Sequence, residues 1–209
     1  KESIAFPPSH CFSCEHQLGV LDLFPVLSYV FLRGKCRYCK SPVSIQYPII
    51  EALNSLVYLL LFAHYGMSIH FLFYSLLAST LIVVSLIDYY HQIIPNKLVL
   101  ICLGLGVIYK IVIISGSTGK LGMIKNTLLG FLIGGGVYLL IYVLSGGNMG
   151  GGDIKLMAAL GLWLGWKYTL LAILLTFILG AIISVFLLVT KIKGRKDPIP
   201  FGPFIVLGT

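Results

Sequence analysis

Residues 169–190 read TLLAILLTFILGAIISVFLLVT, a run without a charged residue or a proline. At about 1.5 Å per residue a helix of this length crosses the roughly 30 Å hydrocarbon core of a bilayer. Working outward from it, apolar runs of comparable length occupy 50–66, 69–88, 98–115 and 124–144. Two more are incomplete: 154–166 is short for a full crossing, and 201–209 starts a helix where the chain stops. Hydrophobic residues make up 58% of the 209 and charged ones 11%, against about 45–50% and 25% in a soluble domain. The pattern predicts an all-α integral membrane protein, a polytopic helical bundle over 49–209, and excludes a soluble globular enzyme. Lys1 is not a start methionine, so the chain is expected to be a fragment lacking an N-terminal segment.

The net charge is +8. Its distribution points to anionic lipid and membrane orientation, not to nucleic acid. With the spans above, one side of the membrane holds Lys1, Arg33, Lys35, Arg37, Lys40, Lys97, Lys155, Lys191, Lys193, Arg195 and Lys196, and the other holds Lys110, Lys120, Lys125 and Lys167. Eleven against four places the first side in the cytoplasm. The cluster at 191–196 reads as an anchor for lipid headgroups.

Residues 1–48 differ in character: they are polar, contain prolines and cysteines, and lack an apolar span. Cys11-Phe12-Ser13-Cys14 and Cys36-Arg37-Tyr38-Cys39 form two CxxC pairs separated by 21 residues, close to the usual spacing of a structural zinc site. Each pair sets two thiolates on one turn, and two such turns complete a tetrahedral four-sulfur site. Two disulfides are the alternative, favoured in an extracytoplasmic domain. The basic residues of the same segment argue for the reducing side. Residues 1–48 are therefore expected to be a small cytoplasmic zinc-binding domain with Cys11, Cys14, Cys36 and Cys39 as ligands. Cys102, alone in an apolar run, reads as a small core residue.

Only seven acids occur in the chain, and Glu51, Asp88 and Asp153 sit at edges of membrane segments. Ionisable groups there are costly and mark function by default. Asp88 closes an apolar run, with Pro95 limiting how far its helix continues. Asp153 follows Gly150-Gly151-Gly152 and precedes an apolar run, as an N-cap or first-turn residue does. Both open to the side assigned to the cytoplasm. Two carboxylates close together share a proton. That is the equipment of an aspartyl protease, in which one carboxylate takes a proton from water and the other, protonated, polarises a peptide carbonyl. The glycines are expected to let backbone approach an extended substrate. Gly130 and Gly134 lie in an apolar run at GxxxG spacing and predict close helix packing.

Taken in order, these pieces resemble the bacterial type IV prepilin peptidases, the leader peptidase/N-methyltransferases of pilus, competence and type II secretion systems. The resemblance rests on the two CxxC pairs with Pro25-Val26-Leu27-Ser28-Tyr29 and Leu32-Arg33-Gly34-Lys35-Cys36 between them, on Tyr47-Pro48-Ile49-Ile50-Glu51, and on Asp88 followed by Ile94-Pro95-Asn96. It continues through Gly150-x-Gly152-Asp153-x-Lys155-Leu156 to Pro200-Phe201-Gly202-Pro203-Phe204. It implies a GxGD-type aspartyl protease of the bacterial inner membrane with Asp88 and Asp153 as catalytic pair, facing the cytoplasm. Prepilins and pseudopilins would be its substrates, cut after the glycine that ends a basic leader. The new N-terminus would be methylated with S-adenosylmethionine as donor. The family usually has eight membrane helices, which fits a missing first helix and a truncated last one. Gln46 stands where the family pattern has an arginine. Glu51 is the acid near the cysteine domain available to the methyl-donor site.

Three other readings compete. A peptidase without methyl transfer would lack the cysteine domain. An ion-coupled membrane carrier would use the aspartates as proton sites, though no paired broken helices or repeat supports it. A zinc-dependent scaffold would keep its function without either aspartate.

Overall fold

The computed structural model describes residues 9–147, 149–192, 194 and 199–209. Lys193, Arg195 and Lys196 of the basic cluster lie outside the described residues, as do Lys1 and Pro198. Among the described residues the chain has seven α-helices and no strand. It divides into two compact units, Lys1–Phe71 and Leu72–Thr209.

The first unit builds the same turn twice. The Cys11 N–H donates to the His16 carbonyl (3.0 Å) and the Glu15 N–H to the Cys11 carbonyl (2.8 Å). The Cys36 N–H likewise donates to the Ser41 carbonyl (2.8 Å) and the Lys40 N–H to the Cys36 carbonyl (3.1 Å). Each turn closes through one residue of positive φ, Glu15 at 55° and Lys40 at 62°, and each is flanked by a single bridge, His10 to Gln17 and Lys35 to Pro42. Asp22, in the 3₁₀ turn Val20–Asp22, ties the intervening segment to the second turn. It accepts from Arg37 Nε (2.6 Å), Tyr38 Oη (3.2 Å) and the Gly19 N–H (3.1 Å). Desolvation would raise its carboxyl, but these donors and the guanidinium charge outweigh it and hold the group below the usual carboxylate range. Helix α1 (Leu27–Phe31) follows, and α2 (Gln46–Tyr65) completes the unit. Pro48 falls in the first turn of α2, where its missing N–H costs no helical bond.

Helix α3 (Ile69–His91) begins in the last residues of the first unit and continues into the second, which also holds α4 (Asn96–Ser115), α5 (Lys120–Leu144), α6 (Gly151–Val189) and α7 (Gly202–Gly208). Helices α2 to α6 are each long and apolar enough to span a membrane. Many of their large apolar side chains are exposed, as lipid-facing surfaces require. The second unit's core joins Leu77, Leu81 and Val84 of α3 to Cys102 and Tyr109 of α4, Leu160 and Trp163 of α6 and Ile205 of α7. Cys102 is fully buried, as a core residue should be. Glycines set the closest approach. A Cβ at Gly130 would strike the Gly161 carbonyl, one at Gly161 would strike the Gly130 carbonyl, and one at Gly134 would strike the Met157 carbonyl. The GxxxG spacing in α5 thus serves backbone contact with α6.

Helix α6 is two arms. Gly165 has φ 74° and ψ 170°, outside the helical region. Gly134 has both Met157 and Thr169 within 4 Å of its Cβ direction, although a straight helix would hold those residues about 18 Å apart. The arms therefore fold back on each other at Gly165. The first arm, 151–164, is about 21 Å long and does not cross a full bilayer. A turn at this depth needs partners for the backbone groups it frees. The Trp163 carbonyl accepts from Lys110 Nζ (2.8 Å), the Trp166 N–H donates to Asn126 Oδ1 (3.2 Å), and the Gly165 carbonyl accepts from Thr169 Oγ1 (2.7 Å). Asn126 also packs directly on Gly165, where a Cβ would not fit.

Candidate active site

Asp88 lies in the last turn of α3. The Gln92 N–H closes on its carbonyl at 2.8 Å, and Gln92, at φ 54°, ends the helix. Pro95 then N-caps α4 with its φ preset near the required value. Asp153 is the third residue of α6, after the N-cap Gly150. Both aspartates are buried, Asp88 5% and Asp153 7% exposed, and they lie within electrostatic range of each other.

Three contacts fix the pair. The Gly202 N–H, at the start of α7, donates to Asp88 Oδ2 at 2.7 Å. Gly152 beds against Ile94, whose Cβ would lie 2.7 Å from a Cβ there, so the chain following Asp88 rests on the residue preceding Asp153. One turn further, Lys155 Nζ donates to Asn96 Oδ1 at 2.9 Å, tying α6 to the start of α4. The expectation that the glycines face a substrate needs correction at Gly152, which this chain's own Ile94 occupies. Gly151 has nothing within 4 Å of its Cβ direction.

Phe201 anchors the donor at Gly202. Its ring meets Phe177 at 5.5 Å, Phe204 at 6.0 Å and Tyr138 at 6.3 Å between centroids. Sequence reasoning singled out the Pro200–Phe204 stretch for the resemblance without foreseeing a bond from Gly202 to Asp88. The only signal was a glycine between two aromatics and next to a proline. His91, the last residue of α3, is exposed.

In the first unit the four thiols of Cys11, Cys14, Cys36 and Cys39 have sulfurs within 4.8 Å of one another, and none is in a disulfide. Cys11 Sγ and Cys39 Sγ are 3.8 Å apart. Tetrahedral zinc with Zn–S near 2.3 Å demands a sulfur–sulfur edge of about 3.8 Å. Ser41 Oγ lies 3.0 Å from Cys39 Sγ. Backbone N–H groups of Ser13 and Cys14 pull the Cys11 thiol down to about 6. Cys14 is helped by the His16 amide, but desolvation and its neighbouring thiols push it up to about 11. Four thiolates this close repel, and a dication offsets that repulsion, so the donor set fits a metal ion. Glu51, the second-turn acid of α2, accepts the Val26 N–H on Oε2 at 2.8 Å and remains exposed.

Comparison with known proteins adds the decisive observation: residues 75–185 match the type IV leader peptidase family, and residues 1–65 match the bacterial peptidase A24 N-terminal domain. The chain belongs to the type IV leader peptidase family. A prepilin leader peptidase/N-methyltransferase of Legionella pneumophila is 36% identical over 209 residues, covering 99% of this chain and 72% of the relative. Proteins of the same name from Pseudomonas putida and Stutzerimonas stutzeri are each 35% identical, covering 98% of this chain and 70% and 71% of theirs. No solved structure matches the chain. Membership in the leader peptidase family and five apolar helices make it a multi-pass inner-membrane protein.

Proposed function

We propose that this protein cuts the leader from type IV prepilins or pseudopilins at the cytoplasmic face of the inner membrane and then methylates the new N-terminus. The observation that carries the peptidase half is the pair of buried carboxylates, Asp88 and Asp153, brought from two helix ends into one site and braced by Gly202 and Ile94. With one proton shared by the pair, the ionised aspartate removes a proton from water as its oxygen attacks the scissile carbonyl carbon. The protonated aspartate gives its proton to the carbonyl oxygen. The resulting gem-diol collapses: the C–N bond breaks as the leaving amine takes the proton first drawn from water, and one gem-diol hydroxyl returns its proton to the second aspartate, leaving the carboxylic acid product and the pair again with one proton.

The positive-inside count supports the orientation. Lys110, beside Trp163, and Lys167, which follows the Gly165 turn, gather at one end of the second unit. Lys155 stands with the aspartates at the other. We read residues 1–48 as the domain outside the membrane and 49–209 as the peptidase domain within it. The four cysteines would hold zinc as a staple that residues 1–48 could not replace with a core of their own. S-adenosylmethionine would supply the methyl group from its sulfonium. Glu51, with one oxygen pinned by Val26 and its side chain exposed, is suited to attract that cation.

Mass spectrometry of a prepilin after incubation with S-adenosylmethionine and membranes carrying wild-type, Asp88→Asn or Asp153→Asn protein tests this. Leader loss that depends on both aspartates, with a methyl group on the new N-terminus, is expected. Cleavage surviving both substitutions would remove the pair from the chemistry. Cleavage without methylation would leave a peptidase alone.

A further inference from the structure

A buried hydroxyl beside the carboxylate pair has no task in the mechanism above. Among the described residues two buried side-chain oxygens lack a hydrogen-bond partner, Ser75 Oγ and Tyr138 Oη. Ser75 is remote from the chemistry, roughly 20 Å along α3 from Asp88 at helical rise. Tyr138, on α5, is fully buried. A hydroxyl taken out of water without a partner costs desolvation energy and returns nothing. Such a group calls for a reason, and a role in catalysis is one.

Helix register puts Tyr138 at the site. Along the antiparallel contact of α5 with the first arm of α6, Gly130 meets Gly161 and then, four residues on in α5 and four back in α6, Gly134 meets Met157. The next such step pairs Tyr138 with Asp153, and these two side chains lie within electrostatic range of each other. Glycine at the first two positions draws the backbones together, and at the third a ring fills the space. That ring lies 5.8 Å from Phe177 and 6.3 Å from Phe201 between centroids. Phe201 immediately precedes Gly202, whose N–H holds Asp88. Tyr138 therefore adjoins both halves of the pair, Asp153 through the register and Asp88 through Phe201.

The two carboxylates are unequally held. Asp88 Oδ2 accepts from Gly202, a residue of another helix, at 2.7 Å. Among the described residues Asp153 has only the backbone of its own N-cap, Gly150, in support. A donor without an acceptor thus adjoins an acceptor without a donor from another element. Full burial keeps substrate away from Tyr138. Thr176 comes near, but it is outside bonding geometry and its own hydroxyl donates to the Ala172 carbonyl at 2.7 Å. We propose that Tyr138 is a positioning residue for Asp153: once substrate is bound, its Oη–H donates to the Asp153 carboxylate and holds it in line with the attacking water. The proposal rests on the peptidase reading. Hydrogen bonds of an active site are often long in the free enzyme and tighten in the substrate complex, which is why the hydroxyl stands unpartnered here.

Tyr138→Phe removes the hydroxyl and keeps the ring contacts with Phe177 and Phe201. In proteoliposomes with a type IV prepilin it is expected to lower kcat about 10- to 100-fold, the scale of a loosely placed reacting group, with KM changed less than about threefold. Its unfolding temperature should equal or exceed that of wild type, because a hydroxyl with no partner adds nothing to the stability of the free protein. Thr176→Val is the control and should cleave as wild type does. A purely structural hydroxyl gives the reverse pattern, a lower unfolding temperature with kcat kept. A kcat for Tyr138→Phe within about twofold of wild type, a lowered unfolding temperature, or an equal loss of kcat in Thr176→Val overturns the proposal. Wild-type protein that leaves every prepilin uncut overturns the peptidase reading and this role with it, so the wild-type sample tells the two failures apart.

Discussion

Replacing Gly202 by alanine should impair cleavage without unfolding the protein, and the size of the effect follows from the contacts at Asp88. The new methyl carbon would lie 2.7 Å from Asp88 Oδ2 and 2.9 Å from Asp88 Cβ and Cγ. Reaching ordinary van der Waals contact requires a separation of roughly 0.7 Å more. Rotating the carboxylate cannot supply it, because Asp88 Cβ is itself too near, so α7 and the end of α3 must part. The 2.7 Å hydrogen bond from the Gly202 N–H is then stretched or lost. A bond to a charged acceptor contributes about 1.5–3 kcal/mol, or about 10- to 150-fold in rate if it is needed in the transition state. Displacement of a reacting group by about 1 Å costs up to roughly 100-fold. Single-turnover cleavage of a prepilin in proteoliposomes should therefore slow by about 10- to 100-fold, with substrate affinity little changed. Thermal unfolding is recorded alongside. Cleavage by Gly202→Ala within twofold of wild type, at equal thermal stability, would refute the role assigned to this contact.

Three further outcomes follow from the same geometry. Gly130→Ala or Gly161→Ala should cost about 1–3 kcal/mol or more by overpacking, seen as a lower unfolding temperature. Gly104→Ala, with nothing within 4 Å, should be close to neutral. Protein expressed in the cytoplasm should carry about one zinc per chain, as one four-cysteine site requires. Cys14→Ser or a chelator should make residues 1–48 protease-sensitive while the spans stay resistant, and metal-free protein with intact disulfides would refute the site. For Asp22 the folded carboxyl lies below its unfolded value of about 3.9, so its stabilising contribution is complete above that pH and fades as pH falls through the lower folded value. The stability difference between wild type and Asp22→Asn should therefore be constant above about pH 5 and shrink below about pH 4. A difference that persists unchanged at pH 2 would contradict the ion pair.

Hydropathy alone located the helices, because lipid leaves the backbone of a spanning segment few other options. It placed α3 and α5 within a few residues of their observed limits. The carboxylate pair was legible for a related reason: so few acids are tolerated at these positions that two of them stand out. The CxxC pairs declared themselves by repetition, but the residues that close each turn, Glu15 and Lys40, carry no signature of positive φ. What pattern could not supply was pairing at a distance. Lys110 reads as a loop-side charge, and nothing near it indicates that its ammonium meets a carbonyl 53 residues later. Gly202 and Asp88 are separated by 114 residues. The small size of Gly152 is explained only by Ile94, a residue of another helix connection.

The turn at Gly165 bears on how the chain is made. Synthesis runs from the N-terminus, and domains generally fold in that order. Lys110 on α4 and Asn126 on α5 leave the ribosome before the residues whose backbone they satisfy. When the two arms of α6 enter the bilayer, the partners for their exposed carbonyl and amide are already there. A chain with the same helices in another order would have to hold an unsatisfied bend in lipid until its partners arrived. The order of segments along the gene is thus part of what lets this bend exist.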